Sequence, residues 1–304
     1  MDYVVGSTAV TDELHFPDGK VMNNLAGGAG IYALAGIRLW CDSVEIVTGV
    51  GEDYADIYGD WYKKNNLSMN GLRVRAEKTP HNVITYFEDG ERDEVPLYGA
   101  DHYLSVEARP EDLEGYFETS KGIYIFKNSN SAFWDRILEM KKRGNARVMW
   151  EIASDAATFE NKDEVKKIAG QIDVFSINRT EAFSLLKTND MGEVIEEFKK
   201  WNIPLIFLRR GKDGAYMIAG GGVFEALSLK DISVVDATGG GNSSSAAVLY
   251  GFCEGRSPLE AGLMGSISAA MCLAQYGVPA VIDSQMRHHA NDLLKKMMEE
   301  IGRK

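Results

Sequence analysis

Cysteine is scarce in this chain. Cys41, Cys253 and Cys272 are the three among 304 residues, far apart and without a C-x-x-C pair. A disulfide-stapled scaffold is thereby excluded, and reduced, buried thiols in a cytosolic setting are expected. No histidine stands at metal-ligand spacing, which removes a zinc module. Proline is sparse too, seven in all, and no Pro- or Gly-rich linker divides the chain into independent domains. Positive charge is in deficit: Lys+Arg 33 against Asp+Glu 45 gives a net charge of -12, with no basic segment, so nucleic acid is not an expected partner. Small anions remain eligible, because backbone N–H groups and helix termini bind phosphate whatever the net charge. The stretch 261–282 carries no charge, yet it holds Gln275, Pro279 and several Ser and Gly. It reads as a helix buried in a soluble domain, so no membrane partner is expected. The N-terminus has neither a basic nor a long apolar segment, so no signal peptide is expected there.

What the chain does contain is an alternation of short apolar strands and amphipathic helices. Strands are predicted at Tyr3–Gly6, Val44–Val47, Gly122–Phe126, Arg147–Trp150, Asp173–Ile177 and Pro204–Leu208. Helices are predicted at Ile31–Leu39, Ala132–Lys142, Glu164–Ala169, Glu181–Leu186, Gly192–Trp201, Ser243–Tyr250, Leu259–Gln275 and Gln285–Ile301. Ser257-Pro258-Leu259-Glu260 is a helix start, with Ser as N-cap, Pro at N1 and Glu closing a capping box. The pattern predicts an α/β fold with a doubly wound, mostly parallel sheet, in one domain over 1–304. Residues 8–25, with a Pro17-Asp18-Gly19 turn, and 72–98, around an Asp89-Gly90 hairpin turn, break the alternation. They are expected to form a small sheet standing off the main one, with Val83, Thr85 and Phe87 on one face. An exposed apolar face on such a sheet must cover a ligand or a second copy, so a homodimer through it is expected.

The densest signal is Val234-Val235-Asp236-Ala237-Thr238-Gly239-Gly240-Gly241-Asn242, followed by Ser243-Ser244-Ser245-Ala246-Ala247. It reads as an apolar strand entering a three-glycine turn and a helix of small residues. Glycines let successive N–H groups converge on one spot, and the helix N-terminus adds positive potential there. A tight strand-to-helix turn with no ligand reads equally from the glycines alone. The serines do not form a G-x-S-x-G elbow and are expected to cap or pack. Gly28-Ala29-Gly30-Ile31-Tyr32-Ala33 fits a dinucleotide fingerprint, but the preceding Val21–Leu25 is too polar for a buried first strand, so NAD(P) is not expected.

Asp-Ala-Thr-Gly-Gly-Gly-Asn resembles the C-terminal signature Asp-Thr-x-Gly-Ala-Gly-Asp of the ribokinase/pfkB carbohydrate kinases. Other stretches resemble that family in order: Gly27-Gly28-Ala29-Gly30, Gly49-Val50-Gly51-Glu52-Asp53, Asn178-Arg179-Thr180-Glu181 and Gly211-Lys212-Asp213-Gly214. The resemblance implies a ribokinase-like fold whose β-sheet lid is made by residues 8–25 and 72–98. It implies transfer of the γ-phosphoryl group of ATP, with Mg²⁺ and room for a monovalent cation, to a sugar, nucleoside or related small polyol. Gly239, Gly240 and Gly241 would form the anion hole with Thr238 beside the nucleotide. Asn178 and Glu181 would organise Mg²⁺ and its water. Gly211 and Gly214 would lie by the nucleotide, and Asp12, Gly27 and Gly28 would line the acceptor pocket. Asn-x-x-Glu is also a capping sequence, and both roles can coexist.

Asn242 departs from the pattern, because the resemblance places an aspartate there as the base for the acceptor hydroxyl. A neutral amide oxygen orients a hydroxyl but does not take its proton usefully. A slowed kinase and a silent sugar or nucleotide sensor are both compatible with it. Glu151, at a strand end, is expected to be solvated, and Arg209-Arg210 to mark a solvated edge. His288-His289 falls in a charged helix and is expected to be solvated as well.

Overall fold

The computed structural model describes residues 1–88, 92–230 and 232–302. Thirteen strands are present among them: β1 (Tyr3–Gly6), β2 (Val10–His15), β3 (Val21–Gly27), β4 (Val44–Gly51), β5 (Leu72–Ala76), β6 (His81–Tyr86), β7 (Arg92–Pro96), β8 (Gly122–Lys127), β9 (Arg147–Ile152), β10 (Val174–Asn178), β11 (Leu205–Arg209), β12 (Ala215–Ala219) and β13 (Gly222–Ala226). Nine of them build one sheet in the order β13-β12-β11-β10-β9-β8-β1-β4-β5. It is parallel except for the β12–β13 hairpin at one edge. The expected doubly wound sheet is therefore present, and the six strands predicted for the alternating pattern lie in it, most of them one to four residues longer or shifted.

Continuous apolar runs make these strands buriable on both faces. Val4, Ile123, Ile125, Val148 and Trp150 face the layer of helices Ser131–Arg143, Lys162–Ala169, Arg179–Leu186 and Met191–Lys199. Their alternating neighbours Val5, Tyr124, Met149 and Val174 face the helices Ala29–Arg38, Gly240–Cys253, Pro258–Leu273 and Ser284–Gly302. Small residues let these last helices approach closely. A Cβ on Gly36 would meet the Ser243 backbone oxygen at 2.2 Å, and one on Gly251 would meet Ala261. The uncharged stretch is thus interior: Ala261, Leu263, Met264 and Ile267 are buried, and its helix begins at the expected capping box of Ser257 and Glu260.

The second sheet, β3-β2-β6-β7, is the lid. Its turn at Pro17–Gly19 is present, with Gly19 at φ +83°, whereas the predicted Asp89-Gly90 turn lies outside the described residues. One correction applies. Leu72–Ala76 belongs to the main sheet, paired with β4, so the lid begins at β6 on that side. The face carrying Val83 and Thr85 points outward, while Asn82, Ile84 and Tyr86 turn toward the main sheet. Val21, Val95 and Leu97 are exposed on this lid. The helix Tyr54–Lys64 and the β12–β13 hairpin had no counterpart in the periodicity reading; Tyr54, Tyr58 and Tyr62 are buried despite the polar residues between them.

Candidate active site

Three glycines start the helix Gly240–Cys253, and each is there for a different neighbour. Gly239 is left-handed, at φ +76°, and a Cβ on it would meet the Tyr32 ring at 2.0 Å. One on Gly240 would meet Leu273 at 2.8 Å, and one on Gly241 would meet the Arg209 guanidinium at 2.1 Å. No side chain caps this helix, so its first amides keep their hydrogen-bonding capacity for something else. Such an end, with Arg209 against it, is suited to a dianionic group. The segment leading in is not the predicted strand. Val235 and Asp236 donate their N–H groups to the Leu273 carbonyl, and Val234 and Val235 are exposed. Ser243, Ser244 and Ser245 hydrogen-bond back to the carbonyls of Gly240 and Gly241, in keeping with a packing role.

On the sheet below, register sets four polar side chains in a row on one face. Phe126 pairs with Glu151, Glu151 with Ser176 and Ser176 with Phe207, which puts Tyr124, Glu151, Ser176 and Arg209 under the helix Gly240–Cys253. Tyr124 donates to Glu151 Oε2 at 2.6 Å, and the Asn242 amide donates to the Tyr124 oxygen at 3.2 Å. Arg209 pairs with Glu151 at 2.8 Å and reaches Glu181 at 3.7 Å. Asn178 accepts from the Glu181 N–H at 2.9 Å, and Glu181 accepts from the Asn178 N–H at 2.8 Å. That box caps the helix Arg179–Leu186 and at the same time turns the Glu181 carboxylate toward Arg209. Burial pushes the Glu181 carboxyl up, with the Arg209 charge opposing it. Burial, reinforced by the Glu151 charge, holds the Tyr124 phenol well above its usual range.

The expectation of solvated Glu151 and Arg209-Arg210 fails here. Glu151 is 2% exposed, because Tyr124 and Arg209 together replace its water. Arg210 lies 3.8 Å over the Tyr216 ring and bonds to Glu225 and the Asp213 carbonyl. His288 is exposed, as expected, with Asp292 nearby.

The lid supplies the opposite wall. Asp12 is buried beside Gly27, where a Cβ would stand 1.8 Å from its carboxylate. Asn82 donates to it at 3.4 Å. Burial raises Asp12 to about 7, and Glu94 and Asp236 add to the rise. Asp236 in turn accepts from Tyr86 at 3.0 Å, from the Thr238 N–H at 2.9 Å and from the Thr238 hydroxyl at 2.7 Å. Arg92 donates to that same hydroxyl and faces Asp236. Thr238 therefore ties the glycine turn to the lid. Tyr32 lies between the two halves, its ring under Gly239 and its phenol pushed up by burial and by Asp12.

Gly28, at φ +89°, starts the helix Ala29–Arg38 against the Thr8 carbonyl. Gly214, at φ +84°, packs on the Ala226 carbonyl, while Gly211 has open space around it. Gly51 lies against the Thr79 backbone, and Asp53 accepts from Thr79 twice at 2.8 Å where the chain enters β6. Tyr124, Tyr86 and Arg92 were not singled out from the sequence, and Asp236 was read only as part of the glycine signature, with no role of its own. For Tyr124 the signal was available in the strand alternation that sets it diagonal to Glu151.

The pattern pfkB family carbohydrate kinase matches residues 3–284. The cytidine kinase of Thermococcus kodakarensis is 24% identical over 280 residues, covering 91% of this chain and 98% of that protein. The solved adenosine kinase of Sinorhizobium meliloti superposes with a TM-score of 0.78 at 18% identity, over 96% of this chain and 98% of that one. The ribokinase of Arabidopsis thaliana, solved with ribose and ATP, superposes with a TM-score of 0.73 at 18% identity, again over 96% and 98%. With the match running through both sheets and every glycine cluster described above, the chain belongs to the pfkB family of carbohydrate kinases.

Proposed function

We propose that this protein transfers the γ-phosphoryl group of ATP to a hydroxyl of a sugar or nucleoside held beneath the lid. The observation that carries this reading is the uncapped helix start at Gly239–Gly241, wedged among Tyr32, Leu273 and Arg209 and tied through Thr238 and Asp236 to the lid's Tyr86 and Arg92. Asp12, with Asn82, would bind acceptor hydroxyls, and Gly27 leaves the space that carboxylate needs. Gly211, Gly214 and the loop at Ser228, which bonds to the Lys212 carbonyl, would flank the nucleotide.

In the transfer, the acceptor oxygen forms a bond to the γ-phosphorus, the β–γ bridging bond breaks, and its electron pair leaves with ADP. Asn242 orients the hydroxyl, and the amides of the glycine turn stabilise the phosphoryl oxygens. A loose transition state lets the hydroxyl keep its proton until late, when a phosphoryl oxygen accepts it. Absence of a carboxylate base lowers the rate by roughly 10²–10⁴-fold without abolishing it. The donor set suits Mg²⁺. Glu151, Glu181 and Arg209 leave one negative charge in excess, and the raised Glu181 carboxyl is one that a nearby cation would relieve. Glu181 would hold the ion through a bound water, and the ion would neutralise phosphate charge. The lid keeps water from the phosphoryl group, and its exposed Val21, Val95 and Leu97 fit a second copy of the chain.

The test is a panel of sugars and nucleosides with Mg·ATP, scored for ADP and phosphorylated product. At least one acceptor is expected to give stoichiometric product. Tight acceptor binding with no product from any member would overturn the reading in favour of a sensor. Light scattering at micromolar concentration checks the dimer.

A further inference from the structure

Asn242 stands beside a buried hydrogen-bond chain whose direction is fixed from one end. Glu151 is 2% exposed and paired to Arg209 at 2.8 Å, so it is a carboxylate and only accepts. Tyr124 is fully buried, has one proton, and lies 2.6 Å from Glu151 Oε2; that proton is therefore spent on Glu151. The phenol oxygen can then only accept, and its neighbour at 3.2 Å is the Asn242 side chain. With the amide NH₂ toward Tyr124 the contact is a hydrogen bond. With the amide flipped, two oxygens would face each other with no proton between them.

We propose that Tyr124 and Glu151 are positioning residues that lock the Asn242 amide in one orientation, turning its Oδ1 away from the sheet to accept from the acceptor hydroxyl. Arg209 anchors the chain and touches the glycine turn, so the anion cradle and the amide share one support. The orientation follows from geometry alone; its catalytic use rests on the kinase reading. The same polarity penalises a carboxylate at position 242, because the phenol it would face has no proton to give.

Nitrogen-15 labelling of asparagine, with the Asn242 side-chain resonance assigned by its disappearance in Asn242→Asp, reads the lock without any substrate. In the wild type these amide protons should exchange slowly. Tyr124→Phe should speed their exchange by about 10-fold or more, as expected for the loss of one well-aligned buried hydrogen bond. Glu151→Gln, which lets the phenol turn its proton toward Asn242, should shift the same resonance. In turnover, Tyr124→Phe should lower kcat by about 10-fold and leave the KM for ATP within about 2-fold, because only orientation of the acceptor is lost; Glu151→Gln, which also removes a charge beside Glu181, should lower kcat at least as much. Asn242→Asp alone should stay at or below wild-type turnover, and adding Glu151→Gln should raise that single variant by about 10-fold. Unchanged amide exchange in Tyr124→Phe together with an unmoved Asn242 resonance in Glu151→Gln would overturn the lock, whatever the activity. A rise in turnover from Asn242→Asp alone would overturn it as well. If the amide responds as expected while no acceptor yields product even in the wild type, the lock is upheld and the kinase reading falls.

Discussion

Asn in place of Asp12 removes a buried acid without changing its shape, and the expected result depends on pH. In the folded protein the Asp12 carboxyl is raised to about 7, from an ordinary aspartate value of 3.8. Below about pH 4 it is protonated whether the chain is folded or not, and it contributes no penalty. Between about pH 4 and 7 the unfolded chain gives up this proton and the folded chain keeps it, so stability falls as pH rises. Above about pH 7 the loss is complete. A rise of about 3 units at about 1.4 kcal/mol each amounts to about 4 kcal/mol. With an unfolding entropy of about 2.1 cal/mol/K per residue over 304 residues, that is about 6 °C in Tm. Asp12→Asn is therefore expected to melt about 6 °C above the wild type at pH 8 and level with it at pH 4, while acceptor affinity weakens. Scanning calorimetry or near-UV circular dichroism at the two pH values measures this. An equal Tm difference at both would refute the assignment of the raised carboxyl, since Asn82 and Gly27 contact either side chain alike.

Gly36→Ala should cost about 1–3 kcal/mol or more in urea denaturation, because its methyl meets the Ser243 backbone oxygen at 2.2 Å and neither helix can yield cheaply. It should also lower turnover, since Ser243 follows Asn242; a fully active, equally stable variant would show that the crossing is loose. Ser257→Ala removes the cap that accepts from Glu260 N–H at 3.2 Å and should cost about 1 kcal/mol in the same assay with turnover unaltered.

Much of this architecture was readable in advance, and the exceptions share a cause. Fully apolar strands such as Tyr3–Gly6 can only be interior, and a helix announced by Ser-Pro-x-Glu has its first turn written in local hydrogen bonds. Leu72–Ala76 has five residues of alternating Arg, so its pairing with β4 depends on a partner far along the chain, and local reading gave it to the lid. Glu151 was misread for the same reason. A charged residue at a strand end is solvated unless a distant phenol and guanidinium are brought to it, and only the strand register brings Tyr124 and Arg209 there. The glycine turn was legible as a turn, but not the three different neighbours that forbid a side chain at each of its positions. Residues whose meaning is local declare themselves; residues whose meaning is a pairing across the sheet do not.

The shared carboxylate at Asp236 has a mechanical consequence. Tyr86 and Arg92 come from the lid, Thr238 from the glycine turn, and all three converge on that one acid or on the hydroxyl it holds. The two lid ties add to the bonds that Asp236 already makes with the Thr238 N–H and hydroxyl, so the cover and the glycine turn share one brace. Any displacement of β6 or β7 is thereby felt first at Thr238, the residue that leads into Gly239–Gly241.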